Sequence, residues 1–202
     1  MGITPNPDTG IVVARTRCWL EQVVIAHNLC PFARQPFEAD RIRYAVSPAR
    51  RPEDLLAQLG DELNRLHDAP PAQLETTLLI HPDALHDFLD YNDFLDIAEA
   101  LIDELGYADI FQIASFHPDY RFADTQPEDA ENYTNRSPYP MLHLIRQDSL
   151  SAALEHYPAP EAIPQRNIET LEALGAAHMR AQLAECMKEP GTAADDGSAD
   201  ER

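Results

Sequence analysis

Glycine is scarce in this sequence, with seven in 202 residues, and that scarcity bears directly on cofactor binding. There is no G-x-G-x-x-G, no glycine-rich loop ending in Lys-Ser or Lys-Thr, and no G-x-S-x-G elbow. Nucleotide binding by the usual loops is therefore not expected. Basic residues are scarce as well: 15 Lys+Arg face 35 Asp+Glu, a formal net charge of −20. Affinity for nucleic acid rests largely on Lys and Arg neutralising phosphates, so neither a nucleic-acid partner nor an anionic membrane surface is expected. No apolar run approaches the roughly 18 residues that would suggest a membrane helix. The opening MGITPNPDTG lacks the basic and apolar regions of a secretory signal. Only three cysteines are present. Cys18, Cys30 and Cys186 are widely spaced and form no C-x-x-C pair, which fits a reducing compartment better than a disulfide framework. The cytoplasm is the expected location.

What remains is enough for a packed core, since 44% of residues are hydrophobic. A single domain is expected over residues 14–187, with a flexible arm at 1–13 and a disordered acidic tail at 188–202, where EPGTAADDGSADER is small, acidic and punctuated by Gly and Pro. Periodicity places helices at ARTRCWLEQVVIAHNL, at PEDLLAQLGDELNRLH with Leu55, Leu59, Leu63 and Leu66 on one stripe, and at DALHDFLDYNDFLDIAEALIDELG. Asp83 would cap the last of these and Gly106 would close it. A final helical region runs from Ala162 toward Met187. Strands are predicted at RIRYAVS, TTLLIHP, IFQIASFHP and MLHLIR. The expected fold is a single α/β domain with a mixed, mostly parallel sheet of about four strands, the last antiparallel, and packed helices.

That topology sets the carboxyl ends of the second and third strands beside the amino end of the fourth, at an edge where open α/β sheets tend to bind ligands. His81-Pro82-Asp83 ends one strand and His117-Pro118-Asp119 ends the next, a repeated tripeptide at equivalent places. The stretch NYTNRSPYP (132–140) enters the fourth strand there, after a connection long enough to suggest function. His117, oriented by Asp119, is the expected general acid/base, with His81 a second polar group. Arg136 and Asn135, with Ser137 and Tyr139 beside them, are the expected binding residues for a small anionic molecule. Each residue also has a plain structural alternative: strand-end hydrogen bonding for the histidines, and an internal ion pair for Arg136. His81, His117 and Asp119, with His143 and Cys30 further off, are of metal-ligand type, so a divalent metal is a third option, although no metal-ligand spacing occurs. His143 lies within a strand and is read by default as structural. Cys30 in NLCPF invites a nucleophile reading. A thiol at a helix C-terminus is poorly placed to ionise, however, and a structural thiol is the better reading. Acids at 87, 90, 93 and 96 read as a solvated helix face. The rival to an enzyme is a protein-interaction module that docks a partner on the tyrosines and prolines of 132–140.

Taken in order, NLCPFA, TTLLIHP, DFLDYNDFLD, ASFHPDYRFA and NYTNRSPYPMLHLIR resemble an uncharacterised bacterial family, domain-of-unknown-function family 1415, over roughly residues 16–175. The resemblance implies a stand-alone protein of about this size with those stretches as its hallmark. It assigns no activity, cofactor or catalytic residue.

Overall fold

The four apolar segments pair into one sheet in the computed structural model, which describes residues 7–188. The strands are β1 (Ile42–Val46), β2 (Thr76–Ile80), β3 (Phe111–Phe116) and β4 (Met141–Arg146), in the spatial order β1-β2-β4-β3. β1 and β2 are parallel, and β4 runs antiparallel to both of its neighbours, β2 and β3. Three strands therefore point one way, and the last inserts between two of them rather than adding at an edge. His143 sits at the middle of β4, opposite Leu78 on one side and Ala114 on the other.

Because side chains alternate across a strand, the sheet has two apolar faces. Ala45, Leu79, Phe111, Leu142 and Leu144 form one core with α3 (Pro52–Asp68) and α4 (Phe88–Glu104). The α3 stripe Leu55, Leu59, Leu63 and Leu66 is fully buried there, each leucine at 0% exposure. Pro52 occupies the first turn of α3, where its missing N–H costs nothing. At the other end of α3, Arg146 donates to the carbonyls of Leu66 and Ala69, which a helix C-terminus would otherwise leave open. The β1 edge is pinned to α3 by a two-point contact: Arg43 Nε and NH2 donate to the Glu62 carboxylate at 2.6 and 2.9 Å.

Helix α4 begins four residues later than a cap at Asp83 would require. Asp87 is the cap, its carboxylate accepting from the Leu89 and Asp90 N–H groups. Asp83 instead lies 3.9 Å from Arg50, both of them exposed. The C-terminus closes as expected: Gly106 has φ of 75°, its N–H bonds Asp103 O, and the Tyr107 N–H bonds Ile102 O. Asp87, Asp90, Asp93 and Asp96 are exposed, as a solvated face should be.

The opposite face, with Tyr44, Leu78, Ile80, Phe116 and Met141, packs on α1 (Pro7–Trp19) and the π-helical turn that extends it (Leu20–Ile25). Residues 7–13, expected in a mobile arm, are helical, and Val12 already joins this core. Residues 1–6 and the predicted tail from 189 onward lie outside the described residues. A short helix α2 (Arg34–Glu38) precedes β1, and α5 (Gln147–Glu155) follows β4; the sequence pattern predicts neither. Helices α6 (Ile163–Leu174) and α7 (Ala176–Cys186) complete the layer, contributing Leu171, Met179 and Cys186 to its core. Among the described residues no helix is long and apolar enough to cross a membrane.

Cys18 of α1 and Cys186 of α7 form a disulfide, against the expectation of three free thiols. Spacing along the chain gave no sign of it, since the partners are 168 residues apart. The bond closes nearly the whole domain into one loop and so restricts the unfolded chain. Reduction should lower stability by about 2–4 kcal/mol. Urea unfolding with and without reductant, beside Cys186→Ser, checks this, and an unchanged midpoint would show that the link adds nothing.

Candidate functional site

The sheet edge assembles the residues expected of it. The backbone N–H of His81 bonds Pro140 O, and that of His117 bonds Asn135 O, so the two histidines flank the entry to β4. Tyr91 stands between their rings, with centroids 5.9 Å from His81 and 5.1 Å from His117. Its hydroxyl accepts from the Phe116 N–H and donates to Met141 O, joining the ends of β3 and β4.

The polar atoms here are largely spent on the chain itself. His117 accepts from the Asp119 N–H at Nδ1 and donates from Nε2 to Leu85 O, which fixes one neutral tautomer with both nitrogens engaged. Asp119 holds this ring through its backbone, while its side chain is exposed. His81 donates from Nδ1 to Ala84 O, and its buried Nε2 has no partner among the described residues. Burial holds both imidazoles below the usual histidine range, His81 at about 4. Arg136 donates from Nε to Tyr120 O and from NH2 to Pro127 O, and its guanidinium lies 4.7 Å over the Tyr133 ring. Asn135 donates to Ser115 O, Ser137 to Tyr139 O, and Arg15 to the Tyr139 hydroxyl. Asn132, fully buried, accepts from the Phe122 N–H and the Thr125 hydroxyl and donates to Gln126 O. The hydrogen-bonding side chains of 132–140 thus satisfy the backbone of the long β3–β4 connection, a requirement for any buried loop. Tyr133 is itself core, at 5% exposure, and offers no docking patch. Among the described residues, no three His, Cys, Asp or Glu side chains gather as a metal-holding group.

An open cavity lies elsewhere, over the other half of the α1-facing side of the sheet. It measures about 370 Å³. Trp19, Leu20 and Val24 form one wall, where the π-helical turn widens the helix. Leu78, Ile42, Phe116 and His143 form the floor, Cys30 to Pro36 a second wall, and Ser149, Leu150 and Ala153 of α5 a third. The lining is mostly apolar, and its polar members are few and identifiable.

His143 is the most informative of them. Its Nε2 is 2.7 Å from Thr76 Oγ1, which is itself 2.5 Å from Leu144 O. A carbonyl oxygen only accepts, so the Thr76 proton goes to Leu144 and Thr76 accepts the Nε2–H of His143. That tautomer leaves the Nδ1 lone pair bare. Nδ1 has no protein partner among the described residues, yet it is not sealed away like His81 Nε2, so it opens on the cavity. Burial pushes this histidine down to about 4, and it is neutral at pH 7. Cys30 is the free cysteine of the described residues. Its side chain lines the same cavity, and the turn that follows it is closed by the Ala33 N–H bonding Cys30 O at 3.2 Å. Burial raises the thiol, and the neighbouring backbone of Phe32 and Ala33 opposes the shift.

Sequence reasoning grouped Cys30 and His143 only as candidate metal ligands alongside His81, His117 and Asp119, not as the lining of one cavity. The available signal was a polar ring at the centre of an apolar strand, with Thr76 on a neighbouring strand; register was needed to bring the two together.

A family model described as "Protein of unknown function (DUF1415)" matches residues 11–181, and the chain belongs to that family. No curated protein and no solved structure matches it.

His81 and His143, the two histidines pushed down to about 4, make stability depend on pH. Between the unfolded value of 6.5 and the folded value of about 4, the unfolded chain binds more protons. Stability is therefore fully present above about pH 6.5 and falls as pH drops toward 4, by about 1.4 kcal/mol per pH unit for each histidine. Urea midpoints from pH 7 to pH 4 should fall less steeply in His81→Gln and in His143→Gln than in the wild type. Parallel curves would refute the assignment.

Proposed function

We propose that this member of the DUF1415 family binds a small, mostly apolar molecule in the cavity between β4, the π-helical turn and the Cys30 segment, in an enzyme-like site. One observation carries the reading: an apolar cavity of about 370 Å³ whose floor presents a bare imidazole nitrogen held in one tautomer by Thr76. Small-molecule sites combine apolar walls with a few placed polar groups in this way. Nδ1 of neutral His143 accepts but does not donate. The ligand that fits is thus an apolar body with one O–H or N–H directed at His143. An imidazole held near 4 is a weak base at neutral pH, so the site is built first for binding and orientation.

A second reading keeps a small polar ligand at the sheet edge, with His81, His117 and Asp119 as its site and Arg136, Asn135, Ser137 and Tyr139 around it. The observation favouring it is the buried, unpartnered Nε2 of His81. That atom calls for a hydrogen-bond donor, not an anion. The Nε and NH2 of Arg136 are already committed to carbonyls.

A neutral solvatochromic dye such as Nile red, titrated against the wild type and Ala153→Trp, tests the cavity. Ala153 lines it from α5, a helix with no buried residues, so the larger ring should fill the space at little cost in folding. Binding should weaken at least about tenfold, or by ~1.4 kcal/mol. Equal affinity in the two proteins, at equal melting temperature, would place the dye elsewhere and remove the reading.

A further inference from the structure

We propose that a second cavity, between the turn that holds Cys30 and helix α6, binds the ammonium and carboxylate of a free α-amino acid. It is independent of the cavity reading above: Cys30 lines that cavity, whereas Asn28 and Pro31 line this one. The second space measures about 380 Å³ and is lined mostly by polar side chains. Its buried polar member is fixed by a long-range bond. Asn167 of α6 is 6% exposed, and its Nδ2 donates to Leu29 O at 2.8 Å. A carbonyl only accepts, so the amide nitrogen faces Leu29 and Oδ1 faces the other way. Oδ1 has no partner among the described residues and is not one of the sealed atoms, so it opens on the cavity that Asn167 lines. An open acceptor on a buried side chain calls for a donor from a ligand.

Arg166 lines the same cavity and supplies the opposite charge. Its guanidinium lies 5.2 Å over the Tyr157 ring, and Nε donates to Ala162 O at 3.4 Å. NH1 and NH2 have no partner among the described residues, although the chain carries 35 acids. Arg34 and Arg51 pair with Glu38 and Asp54, one helical turn ahead. Arg166 does not do so with Glu169, whose Oε1 accepts from Gln165 instead. The cavity thus presents an uncommitted pair of guanidinium nitrogens and a carboxylate with one oxygen free, three residues apart on one helix. Such side chains start about 5–6 Å apart, a spacing that one amino acid can bridge with its two charged groups. Net charge decides between an anion and a zwitterion. A chain at −20 repels a simple anion, whereas an amino acid is neutral as a whole and is not repelled. Its carboxylate takes NH1 and NH2 of Arg166, and its ammonium donates to Asn167 Oδ1 and to Glu169. Pro31, Ile163 and the Tyr157 ring offer apolar surface to its side chain.

The test screens the full-length protein by thermal melting against each of the standard L-amino acids at millimolar concentration. At least one should raise the melting temperature. Calorimetric titration then compares the best of them with its own two halves. For L-leucine these are 4-methylpentanoate, which lacks the ammonium, and 3-methylbutylamine, which lacks the carboxylate. Each half should bind at least about tenfold more weakly than the whole. Arg166→Gln and Glu169→Gln alter exposed side chains and should keep the melting temperature of the free protein, yet each should weaken the amino acid by at least about tenfold. The proposal is overturned if no amino acid raises the melting temperature. A desamino acid that binds as tightly as the amino acid overturns it as well, since the site would then take simple anions. Binding that survives both variants but drops in Ala153→Trp would put the amino acid in the other cavity, which overturns this inference and leaves the cavity reading standing.

Discussion

Much of this structure follows from one constraint: β4 enters the sheet between β2 and β3, and every backbone group near that entry must find a partner. Inserting a strand centrally exposes no edge at β4 but requires a long return from β3, and that return is not regular structure. Its carbonyls and N–H groups are met by Asn132, Arg136 and His117, and the neighbouring strand ends by Asn135 and Tyr91. A buried donor or acceptor left without a partner costs about 1–3 kcal/mol, so a loop with this many must carry its own polar side chains. The density of Asn, Arg and Tyr in 132–140 is that requirement written in sequence. Trp19 extends it to the first helix, donating from Nε1 to Arg136 O.

The same insertion creates the cavity. With β4 central, His143 sits in the middle of the sheet between Leu78 and Ala114, on the face opposite α3 and α4. A polar ring there prevents the face from being sealed entirely by apolar packing, and Thr76 satisfies only one of its nitrogens. The helix above is widened by a π-helical turn, and the Cys30 segment and α5 close the sides rather than the centre. Among the described residues no side chain completes the Nδ1 lone pair on the cavity floor. The disulfide holds α7 to α1 one residue before Trp19, so the wall of the cavity and the end of the domain are linked covalently.

Charge plays a smaller part than its size suggests. A formal charge of −20 bears on which partners are repelled, but the exposed acids of α4 make no site. The ion pair with the best geometry, Arg43 with Glu62, is structural and fastens an edge strand to a helix.

The sequence by itself determined the elements that local physics governs. The period of Leu55, Leu59, Leu63 and Leu66, the unbroken apolar run of β2 and the glycine at 106 each specify a helix, a buried strand or a helix end from neighbours only a few residues away. It also placed His81, His117, Asn135 and Arg136 together at one edge, because the alternation of strands and helices leaves few topologies. What those residues do there was decided by tertiary structure. Whether Arg136 faces a ligand or two carbonyls depends on where residues 120 and 127 come to rest. The pairing of Cys18 with Cys186, and the meeting of Cys30 with His143 and Thr76 around one cavity, are likewise contacts between distant segments. No local period encodes them, since they exist only once strand order and register have fixed which side chains share a face.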